Sequence, residues 1–145
     1  MENTQSSKKN SKLDIDFKDS KYATGRRKTS IAKVWLKKGT GKIYVNGKLF
    51  NEYFVSENHM MQITRPFEII NQATAYDVRC SVSGGGHTGQ AGAMVHGISK
   101  ALVMFDQNFK TTLKIENLTT RDPRAVERKK PGRRKARRSF QFSKR

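Results

Sequence analysis

Residues 75–105 read AYDVRCSVSGGGHTGQAGAMVHGISKALVMF. The stretch opens with strict alternation. Tyr76, Val78, Cys80 and Val82 fall on one side, and Asp77, Arg79, Ser81 and Ser83 on the other. A period of two predicts a strand that buries one face and leaves the other in solvent or against a partner. Three glycines follow. Thr88 to Phe105 then predicts a helix, with Met94, Val95, Ile98, Ala101, Leu102 and Phe105 on one side. Gly89, Ala93, Gly97 and Ala101 recur every fourth residue. A stripe of such small side chains lets the helix lie close to a sheet or to another backbone.

Upstream, TSIAKVWLKKGTGKIYVNG (29–47) reads as two strands. Gly39 and Gly41 mark the reversal, and Asn46-Gly47 marks the next turn. Ala32, Val34 and Leu36 share one face, and Ile31 and Trp35 share the other with Lys33 and Lys37. Both faces are mixed, which leaves one for a partner. KLFNEYF (48–54) predicts a short helix over the sheet, and RPFEIINQAT (65–74) a helix with Pro66 in its first turn. FKTTLKIENL (109–118) predicts a last short helix. No internal repeat is present. The fold class expected is α+β, a two-layer sandwich of a small mixed sheet with helices packed on it.

Charge divides the chain. The 145 residues carry 30 basic and 12 acidic side chains, a formal net charge of +18. Residues 121–145 hold twelve basic and two acidic residues, while apolar residues concentrate between 31 and 118. This predicts a disordered arm over 1–21, a globular body over 22–120 and an extended basic tail over 121–145. Self-repulsion of this size implies a polyanionic partner, with nucleic acid ahead of an anionic membrane surface. No apolar run reaches the ~18 residues of a bilayer span. The N-terminal residues lack the apolar stretch of a secretory signal. The single cysteine, Cys80, excludes an internal disulfide framework and fits a reducing compartment.

Several motifs invite chemistry. Gly84-Gly85-Gly86-His87-Thr88-Gly89 satisfies a dinucleotide-type string, but no acid follows on a second strand to hold a ribose, and Gly-Lys-Ser/Thr is absent. No cofactor and no small-molecule substrate are therefore expected. The helix start beyond Gly86 remains a good phosphate site. His59, His87, His96 and Cys80 show no metal-ligand spacing, and no carboxylate pair suits hydrolysis. His96 and Lys100, one turn apart, are expected to meet solvent or phosphate. Arg26, Arg27 and Lys28 stand just before a strand and are expected to contact phosphates. Trp35 and the other aromatic residues of the body read as core or edge packing.

The tail carries the strongest signal. Arg121, Arg124, Arg128, Lys129 and Lys130 open it, and Arg133, Arg134, Lys135, Arg137 and Arg138 continue it. Such an arm follows a polyphosphate surface through charge neutralisation and counterion release. Phe140 and Phe142, set between Arg138 and Lys144, are placed to stack on bases or to enter RNA pockets. Eleven residues from Lys135 onward span about 35 Å when extended. Two rival readings remain at this stage, a general basic compactor of nucleic acid and a small nucleotide-dependent enzyme using the glycine run.

Three stretches together resemble the small-subunit ribosomal protein nine family in its bacterial form. They are YATGRRKTSIAKVWLKKGTGKIYVNG, GGGHTGQAGAMVHGISKAL and RDPRAVERKKPGRRKARRSFQFSKR. Gly84 to Gly86, Gln90, Ala93, Gly97, Lys100, Ala101 and Leu102 satisfy its signature, and the chain finishes in the family's Ser143-Lys144-Arg145. The resemblance covers about residues 22–145 and leaves the N-terminal arm without a counterpart. It implies a left-handed βαβ crossover in the body and no enzymatic activity. It places the body on ribosomal RNA in the head of the small subunit, beside other ribosomal proteins of the head. Gly84, Gly85, Gly86 and Gln90 join the ribosomal-RNA contacts on this reading. The tail would thread toward the decoding site, where Ser143, Lys144 and Arg145 meet the anticodon stem-loop of transfer RNA in the peptidyl site. The expected location is the cytoplasmic ribosome of a bacterium, with an organellar ribosome as the alternative.

Overall fold

A computed structural model describes residues 18–144. The elements, in chain order, are β1 (Lys21–Arg27), β2 (Ser30–Lys38), β3 (Ile43–Val45), β4 (Lys48–Leu49), α1 (Phe50–Tyr53), α2 (Glu57–Ile69), β5 (Tyr76–Ser83), α3 (His87–Phe105) and α4 (Phe109–Ile115). The strands form one mixed sheet in the order β1-β2-β5-β3-β4. Only β3 and β5 run parallel, and α1 and α2 lie in the connection between them. This is the α+β sheet-and-helix sandwich expected.

The alternating residues set the layers. Ala32, Val34 and Leu36 of β2 pair with Val82, Cys80 and Val78 of β5, and all six are buried. Ala23 extends that face onto β1, and Ile43 and Val45 extend it onto β3. Met94, Ile98 and Leu102 of α3 and Ile63 and Phe67 of α2 cover it. Burial in this layer pushes the Cys80 thiol up to about 12, so it stays protonated at neutral pH.

The small-residue stripe of α3 is where the helix touches the sheet. A Cβ on Gly25 would run into the Ala93 carbonyl and come within 2.9 Å of the Gly97 Cα. A Cβ on Gly97 would lie 2.7 Å from a Val34 methyl. Helix and strand backbones therefore meet with no side chain between them at this point.

The structure corrects four local expectations. First, residues 21–27 form a strand. Its only apolar core residue is Ala23, too little for a hydrophobic pattern to reveal it. Second, β2 and β3 reverse direction without pairing, because β5 lies between them. Asp77 of β5 holds that reversal. Its Oδ1 accepts the N–H groups of Thr40 at 2.8 Å and Lys42 at 2.9 Å. Asp77 is accordingly buried, against the alternation. Burial raises its pKa, but these hydrogen bonds outweigh it and hold the carboxyl below its ordinary range. Third, Pro66 does not start a helix but lies in the last turns of α2, buried with Ile63 and Phe67. Burying that i, i+3, i+4 stripe overrides the cost of a proline at this position. Fourth, residues 48–54 divide into β4 and the one-turn α1.

Candidate nucleic-acid interface

Arg26, Arg27 and Lys28 stand at the tip of the β1–β2 hairpin. Only Lys28 and Thr29 separate the paired Arg27 and Ser30, and Lys28 takes a left-handed φ of 51° to close the turn. The glycine run packs against this tip. Gly84 and Gly85 have φ of 73° and 60°, a region open to glycine at little cost. A Cβ on Gly84 would lie 2.7 Å from the Thr29 carbonyl. Gly86 has an ordinary extended φ and open space around it.

The hairpin and the loop are held by an internal network. The Ser30 hydroxyl and the Gln90 amide both donate to the Gly84 carbonyl, each at 3.1 Å. The Gln90 carbonyl accepts the Tyr53 hydroxyl at 2.8 Å. Gln90 is buried and turned into the fold, so it braces the loop instead of facing a ligand. His59 meets the Thr88 hydroxyl at 3.2 Å, and His87 packs edge-on against Tyr53 and Phe54. Among the described residues no group of three His, Cys, Asp or Glu is placed to hold a metal ion.

His96 and Lys100 also serve the fold. The Arg26 N–H donates to His96 Nδ1 at 3.3 Å, and Lys100 Nζ donates to the Thr24 carbonyl at 3.0 Å. Both contacts satisfy backbone groups on the outer edge of β1, which would otherwise offer a site for edge pairing. Burial, with help from the neighbouring Lys100 charge, lowers the His96 pKa. A depressed pKa means that this contact stabilises the fold above the ordinary histidine pKa of about 6.5 and is lost as pH falls through the folded value. Acidification from pH 7 toward 5 is therefore expected to speed amide exchange at Arg26 more than at Val34, on the central strand β2. Equal acceleration at both, after correction for intrinsic rates, would show that His96 does not hold the edge.

Beside the hairpin lies a groove of about 380 Å³, whose lining includes Arg26, Arg27, Arg65, Gly92, His96, Asp122 and Arg124. Arg27 lies across Gly92, where any side chain would displace its guanidinium. Asp122 meets Arg27 at 3.4 Å and Arg124 at 2.8 Å. The hydrogen bonds from Arg124 hold the Asp122 carboxyl well below the usual carboxylate range. Arg65 pairs with Glu116 across the groove. Sequence reasoning does not single out Arg65 or Asp122. The signal available for Asp122 is that it is one of only two acids, with Glu127, among the cations of the tail.

Beyond α4 the described residues form turns and bends without a strand or helix. Glu127 pairs with Lys130 at 2.7 Å and Arg137 at 2.9 Å. The Arg134 N–H donates to the Arg138 carbonyl at 2.8 Å, and Gly132 turns the chain with φ 73°. Residues 130–138 thus fold back, and the tail does not run straight along this stretch. Arg121, Arg128, Lys129, Lys135 and Arg138 are exposed and form no ion pair among the described residues. Phe140 and Phe142 are 63% and 87% exposed, which core packing cannot explain. Ser143 and Lys144 are exposed, and Arg145 lies outside the described residues, as does most of the 1–21 arm.

Residues 25–145 match the family described as Ribosomal protein S9/S16. The chain is 53% identical over 134 residues to small ribosomal subunit protein uS9 of Rickettsia typhi, covering 92% of this chain and 83% of that protein. It is 53% identical over 131 residues to the protein of the same name from Rickettsia prowazekii, covering 90% and 81%. The chain belongs to the ribosomal protein S9/S16 family, whose members are structural proteins of the ribosome and not enzymes.

Proposed function

We propose that this protein is a structural constituent of the small subunit of a bacterial-type ribosome. Its body and tail bind ribosomal RNA in the subunit head, and the end of its tail contacts the anticodon stem-loop of transfer RNA in the peptidyl site. The observation that carries the reading is the tail. Its described cations stand exposed, and no described residue of the segment is fully buried in the core. Arg26, Lys28 and the Gly84–Gly86 loop present a second cationic end on the body. Other proteins of the head complete the set of partners. The organellar ribosome remains the alternative location for the same chemistry.

A chain ending at Ser143 tests the finer part of this reading. It is expected to fold normally, because Lys144 and Arg145 add no apolar surface to the core. It is expected to enter subunits, since ten other tail cations remain. Transfer-RNA affinity in the peptidyl site should fall by a few-fold to about tenfold. The loss should be largest at low salt and should not depend on anticodon sequence, because phosphate contacts position without reading bases. Filter binding at several ionic strengths measures it. Equal affinity throughout would remove the transfer-RNA contact and leave the tail an assembly device.

A further inference from the structure

The sheet has a second face, turned away from the helices, that the hairpin tip and the tail do not use. Strand register places Tyr22, Trp35, Arg79 and Tyr44 in one row across β1, β2, β5 and β3. The Tyr22 and Trp35 rings meet at 5.3 Å between centroids. The Arg79 guanidinium sits over the Trp35 ring, 5.8 Å from its centroid. Tyr22 is 45% exposed, and Arg79 is exposed as well. Lys33 and Ser81, paired two residues further along this face, are both exposed.

The charge on this face has one sign. The five strands hold a single acid, Asp77, and its carboxylate is taken up by the backbone at Thr40 and Lys42. An obligate protein interface is expected to be more apolar and poorer in charge at its centre. A duplex offers phosphates but keeps its bases stacked inside. Aromatic rings braced by a guanidinium, with a lysine beside them, match an unpaired strand, whose bases stack while its phosphates pair. At strand spacing the row from Tyr22 to Tyr44 measures about 14 Å, room for about two or three splayed bases.

We propose that this open sheet face binds an unpaired RNA segment, with bases stacked on Tyr22 and on the Trp35–Arg79 pair and a phosphate held by Lys33. The proposal rests on the RNA-binding reading above and assigns it a surface separate from the tail.

Trp35 is the only tryptophan in the chain, so its emission reports this face alone. The probes are an end-labelled single-stranded oligouridylate of about twelve nucleotides and an RNA duplex of equal length. Occupancy by the full chain is followed by anisotropy. At equal occupancy the single strand is expected to quench Trp35 and the duplex to leave it unchanged. A Tyr22→Ala, Arg79→Ala double variant, with folding checked by circular dichroism, is expected to lose about tenfold in single-strand affinity and less than about twofold for the duplex. Single-strand binding without a change in Trp35 emission, or equal losses on both RNAs, would overturn the proposal while leaving the RNA-binding reading intact. Emission that moves only when other small-subunit proteins are added would make this a protein-binding face and overturn it too. If neither RNA binds, the RNA-binding reading and this proposal fall together.

Discussion

Replacing Gly25 with valine is expected to leave the chain without a cooperative unfolding transition. The valine Cβ would overlap the Ala93 carbonyl and crowd the Gly97 backbone, and neither is a side chain that can swing aside. Overpacking against side chains costs roughly 1–3 kcal/mol. Pushing a helix off its sheet costs more, about 4 kcal/mol or above, a large part of the stability of a small domain. Urea titration followed by circular dichroism measures it. The control is Gly86→Ser. Open space surrounds that site, and serine is a good helix N-cap, so the variant should unfold at the same urea concentration or slightly later. A Gly25→Val protein as stable as the parent would show that α3 and β1 are not in backbone contact.

Removing residues 121–145 is expected to have the largest effect on RNA binding. Twelve of the 30 cations go with that segment. Every phosphate that goes unpaired lowers the salt slope by about 0.7–0.9, and the slope is expected to fall by about five or more in all. On a ribosomal RNA fragment near physiological salt, affinity should drop by about a thousandfold or more. The truncated body should unfold at nearly the same urea concentration, because no residue of the segment is fully buried among those described. Filter binding across a salt series gives both numbers. An unchanged slope would mean that the tail cations do not meet phosphate, and binding would then rest on the hairpin tip and the sheet.

The residues that can be read in advance are those whose neighbours in sequence are their neighbours in energy. β5 and α3 declare themselves because alternation and the small-residue stripe are local patterns with one stable outcome. β1 does not. It is a strand because α3 lies across Gly25 and because Lys100 and His96 satisfy its edge, contacts about 70 residues away in sequence. Without β1, Trp35 reads as core or edge packing on a mixed face. With β1 in place, Tyr22 pairs beside it and the ring belongs to the outer face. Gln90 misleads for a related reason. Its place in the family signature implies an RNA contact, and the fold shows Tyr53 and Gly84 occupying its amide. The tail can be read from charge alone, but not the pairing of Asp122 with Arg27 or of Glu127 with Arg137, because like compositions permit many pairings.

The backbone contact between β1 and α3 also sets a schedule for biosynthesis. β1 is translated ahead of the other described elements, yet the helix that covers it ends at Phe105. A nascent chain cannot close this layer until α3 has left the ribosome that is making it, so β1 and β2 emerge as a hairpin with its apolar face uncovered. The cationic segment follows α3 in the chain and emerges only after it. A newborn molecule therefore acquires its compact end before its most strongly cationic end, and while it folds the hairpin tip and the open sheet face are what it can offer to the RNA around it.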